Sequence, residues 1–120
     1  MKTTTCWQET QLRGFQALDR DLQVDVVVVG GGLTGLTTAY LLSKAGKRVC
    51  LLERNHLGHG DTGCTTAHLT HITDERPSQL ESLYGRRQAS LVWRGGVAAI
   101  DRIEKICLSE GIDCEFVRVP

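Results

Sequence analysis

The chain has 120 residues, with 14 basic and 14 acidic side chains and a formal net charge of zero. That balance excludes the basic footprint of a nucleic-acid or anionic-membrane binder, and the length suits one small domain rather than a cofactor domain plus a substrate domain. Hydrophobic residues make up 41%, ordinary for a globular protein. The longest apolar run, Val26–Val29, is far too short to span a bilayer.

Residues 1–22 are polar and turn-like and read as an extended arm. They lack the apolar core of a signal peptide, so a cytoplasmic location is expected. The five cysteines, at 6, 50, 64, 107 and 114, include no C-x-x-C pair. An odd set of this kind fits reduced thiols better than a disulfide framework.

Residues 23–120 read as a single partial α/β domain. Residues 24–29 (V-D-V-V-V-V) are β-branched with little alternation, which predicts a strand buried on both faces of a parallel sheet. Glycines 30, 31 and 32 break it. Residues 33–45 predict a helix: Leu33, Leu36, Tyr40 and Leu41 recur at helical spacing, and Ala39 and Leu42 widen the apolar face. Gly46 suits the position just past its end. Val49–Leu52 predicts a second short strand, closing at Glu53. Strand, helix and strand in about 30 residues imply a right-handed crossover between parallel strands.

Residues 54–76 are rich in Gly, Thr, His and Asp and predict a loop, of a length more often functional than idle. Pro77 suits the first turn of a helix. Two helical segments are expected, over 78–84 and 86–110. Val92, Ala99, Ile100, Ile103, Ile106 and Cys107 would form the apolar face of the second, with Asp101 and Lys105 paired on its outer side. Gly95 and Gly96 either weaken that helix or mark a close contact. Gly111 should end it, and residues 112–119 read as the start of another strand. Two strands and one crossover helix leave apolar faces uncovered, so further strands or a partner chain are expected to complete the sheet.

Gly30-Gly31-Gly32-Leu33-Thr34-Gly35 fits G-x-G-x-x-G. The match gains weight from its setting between a predicted strand and a predicted helix, with Glu53 about 20 residues on at the end of the next strand. Gly30 permits the tight turn, Gly32 lets a pyrophosphate approach the backbone, and Gly35 lets helix and strand pack closely. The helix N-terminus offers N–H groups to the anion. The Glu53 carboxylate suits ribose hydroxyls and would repel a 2′-phosphate. These features describe a Rossmann-like βαβ unit binding FAD or NAD. The bland alternative is a glycine turn with no nucleotide.

Residues 58–70, G-H-G-D-T-G-C-T-T-A-H-L-T, are not a plain Rossmann continuation. Together with the valine strand, the glycine loop and Leu52-Glu53-Arg54, they resemble the D-amino-acid oxidase/glycine oxidase superfamily of FAD-dependent oxidoreductases. The resemblance is to the bacterial branch that often carries a C-terminal Rieske domain, and it extends to Tyr84-Gly85, Ala98-Ala99-Ile100, the stretch from Glu110 to Phe116 and the arm with Trp7. It implies FAD as cofactor. Gly30, Gly31, Gly32, Leu33, Thr34 and Gly35 would hold its pyrophosphate, Glu53 its adenosine ribose and Arg54 its adenine end. Thr62, Gly63, Thr65 and Thr66 would line the flavin side. The implied activity is oxidation of an amine or amino-acid-like substrate by hydride transfer to FAD, with substrate-side groups beyond residue 120 and little turnover from this chain alone. An NAD-binding Rossmann protein, and a non-catalytic remnant or small subunit that binds nucleotide, remain as alternatives. Histidines 56, 59, 68 and 71 with Asp61 and Cys64 match no common zinc spacing, and no metal site is assigned.

Overall fold

The computed structural model describes residues 5, 7 and 12–119. The chain divides into two compact units, Met1–Thr66 and Ala67–Pro120.

The first unit is a βαβ crossover. Strand β1 (Val26–Val29) and strand β2 (Val49–Leu52) are connected by helix α1 (Leu33–Lys44). They pair in parallel with Val26 opposite Val49 and Val29 opposite Leu52. Strand β1 starts two residues later than expected because Asp25 is otherwise engaged. Its Oδ2 accepts the Arg48 N–H at 2.8 Å and its Oδ1 accepts the Arg48 guanidinium at 3.1 Å. The Arg48 carbonyl in turn accepts the N–H groups of Asp25 and Val26. These bonds fix the register at the entry to both strands. They also hold the Asp25 carboxyl below its ordinary range, the Arg48 N–H contributing most and its side chain next.

Helix α1 lays Gly35, Leu36, Ala39, Tyr40, Leu41 and Leu42 on its half-buried side. Leu33, placed on that face by spacing, is 61% exposed, because it is the first helical residue and overhangs the strand ends. The helix closes as expected: Gly46 takes φ +79, and the N–H groups of Gly46 and Lys47 return to Ser43 and Leu42, a left-handed glycine stop.

The expectation of a strand buried on both faces is not met. Val26 and Val28 are half-buried, whereas Val27 and Val29 are 53% and 83% exposed. The cause is alternation: successive side chains point to opposite faces of a strand, and α1 covers the face that carries Val28.

The second unit is built on helix α2 (Pro77–Glu110), with Pro77 in its first turn and a break at Gly85 (φ 79, ψ 156). That break separates the two helical segments read from the sequence. The Gln79 side chain accepts the Arg76 N–H at 3.0 Å and caps the start; Gly111 ends the helix in the left-handed conformation at φ 65. Ile100, Ile103, Ile106 and Cys107 are half-buried, whereas Val92 and Ala99, assigned to the same face, are exposed. Asp101 bonds Arg118 at 2.9 Å, so its partner is not the expected Lys105. The two glycines differ. A Cβ on Gly96 would lie 2.9 Å from His71 Cβ, while Gly95 has open space around it. Trp93 packs edge-to-face on His71 with centroids 4.3 Å apart and stays 46% exposed, so it is a surface contact and not a core residue.

Residues 112–119 do not form the expected strand. A strand needs a partner ladder, and Glu115 at φ 52 interrupts the extended run. Among the described residues no helix is long and apolar enough to cross a membrane.

Candidate dinucleotide site

The glycine loop lies at the C-terminal ends of both strands, where ligands of open α/β sheets bind. The Gly30 N–H extends the sheet ladder to the Leu52 carbonyl at 2.8 Å, and its φ of +103 swings the chain out of the sheet. This is a conformation that favours glycine. Gly32 is extended and opens α1 with no side-chain cap.

Gly35 is demanded by the close approach of backbone, and Gly31 is crowded by side chains. A Cβ on Gly35 would sit 1.9 Å from the Gly30 carbonyl oxygen, and one on Gly31 would sit 2.6 Å from Leu57 Cδ2. Gly32 is less confined: its Cβ would meet only the Thr62 hydroxyl, at 3.1 Å. A flexible hydroxyl can move, so this side of the loop stays approachable to a ligand.

Glu53 links the second strand to the loop. Its Oε2 accepts the Gly31 N–H at 2.7 Å and its Oε1 accepts the Asn55 N–H at 2.7 Å. These bonds, Asn55 first and then Gly31, hold the carboxyl below its ordinary range, with a smaller contribution from Arg54. Glu53 is therefore ionised at neutral pH. Each carboxylate oxygen has two acceptor sites, so hydrogen-bonding capacity remains for hydroxyls of a ligand.

Thr62 reaches the loop from a 3-10 helix over Gly60–Cys64. Its hydroxyl accepts the Leu33 N–H at 3.0 Å, capping the first donor of α1 from 29 residues away. By helix geometry the N–H groups of Thr34 and Gly35 have no intrahelical acceptor. No acidic residue lies in the first turn to oppose an anion at this positive end.

The predicted site residues fall into three groups. Gly30, Gly31, Gly32, Leu33, Thr34, Gly35, Glu53 and Thr62 meet around the loop. Gly63 and Thr65 instead accept bonds from the arm: the Thr5 hydroxyl donates to the Gly63 carbonyl, and Trp7 Nε1 donates to the Thr65 carbonyl at 2.7 Å. Arg54 and Thr66 are exposed. Sequence reasoning missed Asn55, Leu57 and Gly58. The Gly58 N–H donates to the Gly31 carbonyl at 2.8 Å, with Gly58 at φ +69; a glycine five residues past Glu53 was the available signal. An open groove of about 1410 Å³ runs between α1, β2 and the segment before β1, with Phe15, Leu18, Tyr40, Leu51 and Glu53 among its walls. Among the described residues no group of three metal-ligating side chains converges.

The chain resembles known proteins throughout its length. It is 40% identical over 114 residues to YhfW of Bacillus subtilis, named as a Rieske 2Fe-2S iron-sulfur protein, covering 94% of this chain and 22% of that one. It is 33% identical over 106 residues to the gamma-glutamylputrescine oxidoreductase of Escherichia coli, covering 85% of this chain and 24% of the relative. A shorter stretch of 39 residues is 44% identical to the D-amino acid dehydrogenase of Helicobacter pylori, covering 32% and 10% of the two chains. The chain thus spans under a quarter of the length of each of these relatives. No solved structure gives a significant match. The family model for FAD dependent oxidoreductases, DAO, matches residues 25–120, and with the glycine loop, the ionised Glu53 and the open α1 N-terminus in place, the chain belongs to this FAD-dependent oxidoreductase family.

Proposed function

We propose that this chain supplies the adenosine-diphosphate cradle of a flavin enzyme that oxidises an amine or amino-acid-like substrate. The observation that carries the reading is the pair of long-range bonds locking Glu53 onto Gly31 and Thr62 onto Leu33 at 2.7 and 3.0 Å. Together they set an acidic acceptor and a helix N-terminus side by side at the strand ends, as an ADP moiety requires. The residues fit FAD, which when bound would supply the two-electron acceptor for the substrate C–H bond.

The chain's own residues bind and orient. The loop N–H groups and the α1 dipole hold the pyrophosphate, with Gly32 admitting it to the backbone. Glu53 accepts the ribose hydroxyls, and Arg54 flanks the adenine. Thr62, Gly63, Thr65 and Thr66 line the path toward the flavin. The substrate class follows the relatives' names, gamma-glutamylputrescine oxidoreductase and D-amino acid dehydrogenase. In this reading a partial domain over 23–120 follows an arm over 1–22, of which residues 1–4, 6 and 8–11 lie outside the described residues, and the protein works in the cytoplasm; further strands or a partner chain complete the sheet and cover the exposed valine face of β1. Turnover needs groups outside this chain.

Flavin fluorescence titration of the purified chain tests the reading. Saturable FAD binding that Glu53→Ala and Gly32→Val each weaken by tenfold or more, roughly 1.4 kcal/mol, supports it. Binding indifferent to both substitutions, or preference for NAD over FAD, overturns it.

A further inference from the structure

The end of α2 brings two thiols together. Gly111 turns the chain out of the helix at φ 65, and the Ile112 N–H donates back to the Cys107 carbonyl at 2.9 Å. Six residues further on, the Arg118 guanidinium bonds Asp101 Oδ1 at 2.9 Å and Glu104 Oε2 at 2.6 Å. Both ends of the segment are thereby tied to the last turns of α2. Between them Cys114 Sγ lies 3.6 Å from Cys107 Sγ.

We propose that Cys107 and Cys114 form a redox-active dithiol whose reaction partner is a small-molecule disulfide. The sequence placed these thiols among an odd, unpaired set; the fold singles out two of them. A disulfide needs about 2.0 Å between sulfurs, so the bond forms by side-chain rotation and a small movement of the 112–117 segment.

Exposure sets the order of events. Cys114 is exposed and Cys107 is half-buried. The Cys114 thiolate attacks one sulfur of the small disulfide, forming a mixed disulfide and releasing one small thiolate. Cys107 loses its proton and attacks the Cys114 sulfur, forming the internal disulfide and releasing the second small thiolate. Two protein thiols are oxidised, one small disulfide is reduced to two thiols, and each departing thiolate takes up a proton. Cys107 is not the first attacker, since in the dithiol its contact with Cys114 and then its partial burial hold the thiol above its ordinary range. The reverse reaction with excess small thiol restores the dithiol.

Cleavage after Lys105 and Arg118 places both cysteines on one peptide, residues 106–118. The purified chain is equilibrated with glutathione buffers of rising oxidised fraction, acid-quenched, alkylated and digested, once in native buffer and once in urea. The expected result is a peptide that passes from two alkyl groups to none, its mass then two hydrogens below that of the unalkylated dithiol. The native midpoint should lie at a ratio roughly tenfold or more reducing than in urea. In Cys107→Ser the remaining Cys114 should accumulate a glutathione adduct. In Cys114→Ser the Cys107 adduct should form more slowly. Equal midpoints in native buffer and urea, or separate glutathione adducts on both cysteines in place of the internal bond, overturn the proposal.

Discussion

Replacing Gly35 with alanine strikes the contact that makes the cradle compact. The new methyl would lie 1.9 Å from the Gly30 carbonyl oxygen, 3.0 Å from the Gly30 carbonyl carbon and 3.5 Å from Val28 Cγ1. A carbon and a carbonyl oxygen settle no closer than about 3.3 Å, so α1 must retreat from the strand end by roughly 1.4 Å. The obstacle is backbone, and no rotamer change relieves it. Overpacking of this kind costs ~1–3 kcal/mol, and a backbone clash belongs at the top of that range. About 3 kcal/mol corresponds to roughly a 100-fold loss in the local opening equilibrium. The assay is native-state amide exchange at Gly30, whose N–H is bonded to the Leu52 carbonyl at 2.8 Å, with an amide in the middle of α2 as internal reference. Protection at Gly30 should fall by that order and FAD binding should weaken. Unchanged protection at Gly30 in Gly35→Ala would refute the packing argument.

Neighbouring glycines of α2 should respond with opposite signs. Gly95→Ala enters open space and should raise the unfolding free energy read by urea titration by ~1 kcal/mol through helix propensity. Gly96→Ala meets His71 Cβ at 2.9 Å and His71 Cα at 3.1 Å, and should lower it. Thr62→Val keeps the shape but removes the acceptor of the Leu33 N–H. A stability loss of about 1 kcal/mol is expected, with Thr62→Ser near wild type, both read by urea titration. Acid should loosen the first unit. Glu53 and Asp25 are held below their ordinary values of 4.5 and 3.8 in the folded chain, so their stabilisation is complete above those values. It is lost as pH falls through the lowered folded ones. Circular dichroism on acidification should show that decline, and Glu53→Gln should flatten its upper part.

The crossover was legible because each piece had a local signature. Four valines, a glycine cluster, an apolar 3.6-residue period and Val49–Leu52 specify strand, turn, helix and strand without tertiary information. Pro77 and Gly111 likewise announced the limits of α2. The misreadings came where a partner decides the outcome. Residues 112–119 carry strand-like residues, but a ladder requires a neighbour, and the segment instead folds back through Arg118 to Asp101 and Glu104. Asp101 has Lys105 one turn away, but the guanidinium of Arg118 can bond two carboxylates at once. Gly95 and Gly96 are indistinguishable in sequence; only the approach of His71 separates them. At the site, the type and place of Glu53 were legible. Its bonds to Gly31 and Asn55 and the remote capping by Thr62 depend on how residues 55–62 return to the loop, which no local pattern encodes.

The proposed function has this chain grip the ADP half of FAD. It is tested most directly by calorimetric titration of the purified chain with FAD in the presence of ADP, or of FMN, as competitor. ADP should displace FAD competitively and FMN should not, since in the proposed mode Glu53 and the glycine loop would address only ribose and pyrophosphate. Displacement by FMN with indifference to ADP would contradict it.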